Sequence, residues 1–177
     1  GYVGAIRAAQ LGKKVACVEN DRAGGTCLNW GCIPTKALLK NAELYHTVAH
    51  RAAEFGLKIE GLSFDWEKVI GRSRKVSDKL CGGIEFLFKK NKVTFLAGHG
   101  SFVGKEGEFW KVKVGAEEVL AKQVIVATGS KARHLPNLPV DDKIVMDNIG
   151  ALDQESVPKK LAIIGAGLVM FSVGLWA

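Results

Sequence analysis

The chain has 177 residues, 47% of them hydrophobic, enough to bury a real core and a soft guide to one domain plus part of another. Its four cysteines are far below the density of small secreted scaffolds, so cross-links are not needed to replace a missing core. The net charge of +7 raises nucleic acid or an acidic membrane face as partners, but no nucleic-acid motif accompanies the basic residues. The densest basic stretch, Arg72, Arg74, Lys75, Lys79, Lys89, Lys90 and Lys92, alternates with Val69, Ile70, Val76, Leu80, Ile84 and Leu87 at helical spacing and reads as a solvated helix face. The Gly-Tyr-Val opening is neither a signal peptide nor a natural start, so the chain reads as cut from something longer.

In chain order, residues 2–11 predict a helix, with Val3, Ile6, Ala9 and Gln10 winding toward Leu11 and Gly12 where a helix C-terminal glycine is expected. Val15, Ala16, Cys17 and Val18 form a short apolar run closed by Glu19, a buried parallel strand with an acid at its carboxyl end. After Pro34, which is tolerated only near a first turn, Leu38, Leu39, Ala42, Leu44, Tyr45 and Val48 follow a helical period. A second long helix is expected over 66–90, weakened at Gly82 and Gly83. Strands at 93–97, 109–114 and 119–120, parted by Gly98, Gly100, Gly104, Gly107 and Gly115, read as a small antiparallel meander. A buried strand at 124–127 stops at Thr128, Gly129 and Ser130. Residues 131–160 hold Pro136, Pro139 and Pro158 and read as a connector, and a new strand at 161–164 leads into Gly165, Ala166 and Gly167.

The segment GGTCLNWGCIPTK, residues 24–36, carries the chemistry. A glycine-rich loop leads into Cys27, four residues intervene, and Cys32 falls where a helix begins. The helix dipole and free N–H groups there would stabilise a thiolate and lower the thiol's pKa. An activated thiol beside a partner thiol is a redox pair, whereas Cys17 and Cys81 read as small buried hydrophobes. Structural zinc takes four ligands in paired spacings, and His46, His50, His99 and His134 do not supply them; no metal is expected. Gly165 and Gly167 follow an apolar strand, the context in which glycines let backbone N–H groups reach a pyrophosphate. Gly1, the helix after it, and Glu19 look like the tail of another such fold, with Glu19 as the acid that hydrogen-bonds a ribose. Two dinucleotide sites flanking one cysteine pair point to electrons passing between a nicotinamide, a flavin and a disulfide.

On these motifs the sequence resembles the flavoprotein pyridine nucleotide–disulfide oxidoreductases of class I, and most of all their dihydrolipoamide-oxidising branch. GYVGAIRAAQLG resembles the end of the family's first FAD motif, GGTCLNWGCIPTKALL its redox-active segment, VIVATGS its second FAD motif, and LAIIGAG the start of its NAD motif. The resemblance implies an α/β fold: an FAD-binding Rossmann-like domain with three-layer ββα/βαβ architecture and a small meander, over 1–143. A connector over 144–160 and the start of an NAD-binding Rossmann-like domain over 161–177 would complete the chain. It implies Cys32 as the thiol facing the flavin and Cys27 as the interchange thiol toward a lipoyl disulfide. By the same resemblance Glu19 holds the adenosine ribose, Lys36 contacts FAD, and Gly1, Gly25 and Thr26 approach the pyrophosphate. Gly98, Gly100, Thr128, Gly129 and Ser130 close that site, and Gly165 and Gly167 serve NAD. The implied partners are the lipoyl domain of a 2-oxo acid dehydrogenase or glycine cleavage complex and a second subunit, with no nucleic acid and no membrane, in bacterial cytoplasm or the mitochondrial matrix.

The sequence departs from the family pattern in three ways. The first strand and first two glycines of the FAD motif are missing from the sequence. Met170 and Ser172 stand where the NAD motif has its third glycine and its glutamate. The family's acid–base histidine–glutamate pair has no counterpart here, so the isolated chain is expected to be inactive. Two alternatives stay open: a relative in the mercuric- or glutathione-reducing branches, or a non-catalytic thiol-containing module in which the uncharged residues 161–177 insert in lipid.

Overall fold

The computed structural model describes residues 1–165, in two units. A strand unit comprises residues 1–25 and 79–130; a helical unit comprises residues 26–78 and the described residues from 131 onward.

In the strand unit, α1 (Tyr2–Gln10) ends as the sequence predicts, Gly12 taking up the left-handed φ of +78° that closes the helix. The apolar run after it forms β1 (Ala16–Glu19). Its neighbour is β2 (Thr94–Ala97), aligned in parallel from Ala16 opposite Thr94 to Glu19 opposite Ala97. The expected strand at 93–97 thus belongs to a parallel pair and not to the meander, because a continuous apolar run following a long helix is the signature of a crossover connection. The antiparallel meander is instead β3 (Gly100–Glu106), β4 (Phe109–Val114) and β5 (Glu117–Ala121). Its first strand is masked in the sequence by glycines that turn out to be structural: the register shifts between Phe102 and Gly104, where Gly104 adopts φ +141°.

Gly98 is where the chain leaves β2. Its N–H donates to the Glu19 carbonyl at 2.8 Å, its φ is +147°, and a Cβ there would stand 3.1 Å from Val114 Cγ1. A Cβ on Gly100 would likewise meet Val18 Cγ1 at 3.2 Å, so both glycines let the meander lie close to the parallel pair. The strand expected at 124–127 is not formed: Ile125 and Val126 are 78% and 67% exposed, and no described strand hydrogen-bonds to them. An apolar run becomes a strand only with a ladder partner. The strand expected at 161–164 is absent among the described residues for the same reason, and Gly167, Met170 and Ser172 lie outside them.

The helical unit carries α2 (Gly25–Trp30), α3 (Cys32–Arg51) and a 3-10 turn (Ala52–Phe55). Helix α4 (Trp66–Lys90) crosses from this unit into the strand unit without a break at Gly82 and Gly83. Its buried stripe is Ser73, Ser77, Cys81, Ile84 and Phe88, while Leu80 and Leu87, expected on the apolar face, are exposed. Small residues rather than leucines line the stripe, and the two serine hydroxyls are satisfied by carbonyls of their own helix, Ile70 at 2.8 Å and Ser73 at 3.4 Å. Arg74, expected on the solvated face, is half-buried and donates to the Asn29 main-chain carbonyl, while Arg72 is exposed as expected and also reaches the Ala37 carbonyl. Within the expected connector, α5 (Asn148–Leu152) is N-capped by Asp147, whose Oδ1 accepts from the Ile149 N–H at 2.8 Å, and buries Ala151 and Leu152. Trp66 Nε1 donates to the Gln154 carbonyl at 2.8 Å, tying the start of α4 to the same segment.

Gly31, the single residue between α2 and α3, is buried, and a Cβ there would stand 3.0 Å from the Thr26 carbonyl oxygen and 3.3 Å from Cys27 Cα. Both neighbours are main-chain atoms that cannot swing aside. Gly31→Ala is therefore expected to destabilise the chain by about 1–3 kcal/mol in urea titrations. Gly98→Ala, forced into a left-handed backbone against Val114, is expected to lose a similar amount, about 1–3 kcal/mol.

Candidate active site

On an uninterrupted helix, side chains five residues apart point about 140° away from each other, since each residue turns the chain by about 100°. Cys27 and Cys32 nevertheless meet. The chain breaks at Gly31, so Cys27 sits in the middle of α2 while Cys32 is the first residue of α3. The two thiols are free and share a hydrogen bond. The backbone N–H of Cys32, one of the unpaired donors at the start of α3, is directed at Cys27 Sγ. The sequence leads one to expect a loop before Cys27 and helix-end stabilisation of Cys32; the structure makes that stretch a helical turn and directs the helix-end amide at its partner.

Three features fix this junction. Thr35 is buried, and its hydroxyl donates to the Gly31 carbonyl at 2.7 Å alongside its own N–H at 3.2 Å, locking the first turn of α3. Arg74 of α4 donates from Nη1 to the Asn29 carbonyl at 2.9 Å, with its guanidinium 4.8 Å from the Trp30 ring centroid. Asn148 of α5 donates from Nδ2 to the Trp30 carbonyl at 2.7 Å. Gly31, Arg74 and Asn148 do not stand out in the sequence as site residues. Gly31 is within sight, between the cysteines; the two clamping side chains, 45 and 118 residues from the carbonyls they hold, leave no local signal.

Partial desolvation pushes the Cys27 thiol above its ordinary range, and the hydrogen bond and charge interaction with Cys32 push it the same way. The Cys32 amide and the Lys36 ammonium pull it back, so Lys36, exposed one turn into α3, acts electrostatically on Cys27. Cys17, half-buried in β1, is also raised by burial. Cys81 is buried. Among the described residues no group of three or more His, Cys, Asp or Glu side chains could hold a metal ion.

The residues expected to hold a dinucleotide in the strand unit gather at two places. Glu19 and Gly98 are joined at the carboxyl ends of β1 and β2, the edge of a parallel sheet where nucleotides bind. The Glu19 carboxylate accepts from the Asp21 N–H at 3.1 Å and stays half-exposed. Gly1, the residue before α1, has no side-chain cap, and its ideal Cβ position is 3.9 Å from Ala127 Cβ, so the chain running into Thr128, Gly129 and Ser130 lies beside that helix end. Uncapped amides at one point and a carboxylate at the strand end match the phosphate and ribose of an adenine dinucleotide in donor and acceptor type. Gly25 opens α2 at φ +68° with nothing near its Cβ position, Thr26 is exposed in the helical unit, and Gly165 adopts φ +96°.

A dihydrolipoyl dehydrogenase of Cupriavidus necator is 50% identical across 98% of this chain and 39% of its own length. The corresponding enzyme of Bacillus subtilis is 45% identical across 96% and 37%, and the mitochondrial one of Pisum sativum 44% across 98% and 35%. The chain thus spans little more than a third of the curated relatives it matches. Among solved structures, LpdA from Mycobacterium tuberculosis superposes with a TM-score of 0.76 at 21% identity, over 89% of this chain and 35% of that one. The copper(II) complex of RclA from Escherichia coli, a HOCl-induced flavoprotein disulfide reductase, superposes with a TM-score of 0.78 at 23% identity, over 99% and 37%. These two likenesses establish the fold. The profile described as pyridine nucleotide-disulphide oxidoreductase matches from residue 1 to residue 175, and with it the chain belongs to that family of oxidoreductases.

Proposed function

We propose that the chain is the dithiol-bearing part of an FAD- and NAD-dependent oxidoreductase that oxidises protein-bound dihydrolipoamide. The observation that carries this reading is the meeting of Cys27 and Cys32 across the Gly31 break, with a free helix-end amide and Lys36 bearing on Cys27. A dithiol substrate is oxidised by thiol–disulfide exchange: the Cys27–Cys32 disulfide opens at Cys27, a mixed disulfide forms there, and closure of the substrate disulfide leaves both cysteines reduced. FAD, when bound, supplies the acceptor for that electron pair, and NAD the final acceptor. Glu19, Gly1, Gly25, Thr26, Gly98, Gly100, Thr128, Gly129 and Ser130 would hold the adenine dinucleotide portion, and Lys36 would contact FAD. Gly165 and Gly167 would serve NAD.

In this reading residues 1–143 are the FAD-binding domain, 144–160 the connector and 161–177 the start of the NAD-binding domain. The relatives named dihydrolipoyl dehydrogenase, bacterial and mitochondrial, support a homodimer working with the lipoyl domain of a 2-oxo acid dehydrogenase or glycine cleavage complex, in the bacterial cytoplasm or the mitochondrial matrix. No helix of the described residues is long and apolar enough to cross a membrane.

The test is the visible spectrum of the longer protein before and after one equivalent of a dithiol. A flavin spectrum that gains long-wavelength absorbance, lost in Cys32→Ser, is expected; a colourless protein, or a flavin blind to the dithiol, overturns the reading. A second measurement concerns Cys27 itself. Because its thiol is raised, less of it is ionised at a given pH, so its alkylation by iodoacetamide in the reduced chain should rise at higher pH than that of an ordinary cysteine. Lys36→Met, removing the cation that opposes the shift, should move that profile further up; an unchanged profile would deny Lys36 its electrostatic role.

A further inference from the structure

Helix α2 has six residues, too few for a helix to persist on its own hydrogen bonds. Cys32, in contrast, opens a helix of twenty residues whose first turn is locked by Thr35. The position of Cys27 relative to Cys32 is therefore set by whatever fastens α2 from outside. At its end, where carbonyls lack helical partners, two side chains do so: Arg74 on the Asn29 carbonyl and Asn148 on the Trp30 carbonyl. Arg74 also covers the Trp30 ring, and Asn29 is only 1% exposed, so this end of α2 is packed as well as hydrogen-bonded. A guanidinium beside the negative end of the helix is electrostatically favourable as well.

We infer that Arg74 and Asn148 are positioning residues for the redox pair: fastened to the carbonyl end of α2, they hold Cys27 Sγ within bonding reach of Cys32. A disulfide requires Cβ atoms about 3.5–4.5 Å apart, so a small rotation of α2 opens the pair. The inference rests on the reading of Cys27 and Cys32 as a redox couple.

The test equilibrates the 177-residue chain in glutathione buffers. When the pair closes, the two thiols lose two electrons and two protons as the Sγ–Sγ bond forms, and glutathione disulfide takes them up to become two glutathione thiols. The closed fraction is read by acid quench and peptide mass mapping. Arg74→Met and Asn148→Ala are each expected to lower the equilibrium constant for closure about tenfold, and Arg74→Lys, which keeps the charge but loses the planar fork, by less. Arg72→Met is the control, since Arg72 makes equivalent bonds to the Ala37 carbonyl and Asn41 of α3 and none to α2. It should change closure by less than about twofold. Circular dichroism reports folding; if Arg74→Met does not fold, Arg74→Lys and Asn148→Ala decide. Folded Arg74 and Asn148 variants that close like wild type, or an Arg72→Met that loses as much as they do, overturn the inference alone. A wild-type chain that never closes overturns the redox reading and the inference together.

Discussion

The arrangement of the site depends on a helix that is not allowed to continue. Were α2 and α3 one helix, its geometry would send Cys27 and Cys32 to different faces, and no side-chain adjustment could bring the sulfurs together. Gly31 interrupts it, and does so where main-chain atoms of Thr26 and Cys27 crowd the position a Cβ would take. The interruption creates a second helix start at the place where the thiols meet, and that start supplies an unpaired amide to Cys27 Sγ. The same break leaves α2 as an isolated turn, and the burden of orienting it falls on distant side chains.

Each unit treats its glycines and polar groups differently. In the strand unit, close approach is the theme: Gly98 and Gly100 let the meander pack on β1 and β2, and the Gly98 N–H reinforces the carboxyl end of the parallel pair beside Glu19. In the helical unit the theme is satisfaction of helix-end carbonyls and hydroxyls by specific partners, as at Asn29, Trp30, Gln154 and Gly31. Along α4 the buried hydroxyls are short and bonded to their own helix, which allows a stripe of Ser73, Ser77 and Cys81 where leucine would be expected in a bulkier interface.

Local chemistry made much of this readable from the sequence. The glycine after α1, the apolar run ending at Glu19, the proline near the start of α3 and the two cysteines each announce a structure within a few residues of themselves. The family emerges from the cysteine segment, because glycines, thiols and proline at that spacing have few other uses. What escaped was non-local. The parallel partnership of residues 94–97 with 16–19 is a tertiary choice that a short apolar run cannot declare, and 124–127 reads as a strand although no described strand pairs with it. The clamp by Arg74 and Asn148 was hidden for a different reason: arginines on an amphipathic helix look like solvent-facing charges until their acceptors are known.

The pairing of β1 with β2 has a consequence in time. The strands are neighbours in space, yet residues 20–93 lie between them, and closing a loop of that length costs about 4 kcal/mol of chain entropy before the ladder returns anything. The meander, by contrast, is stitched by connections of two residues, and α3 and α4 grow from local hydrogen bonds alone. Folding by the cheapest steps therefore assembles hairpins and helices first and joins the parallel strands late. The edge carrying Glu19 is completed only after the intervening segment, cysteines included, has drawn its ends together.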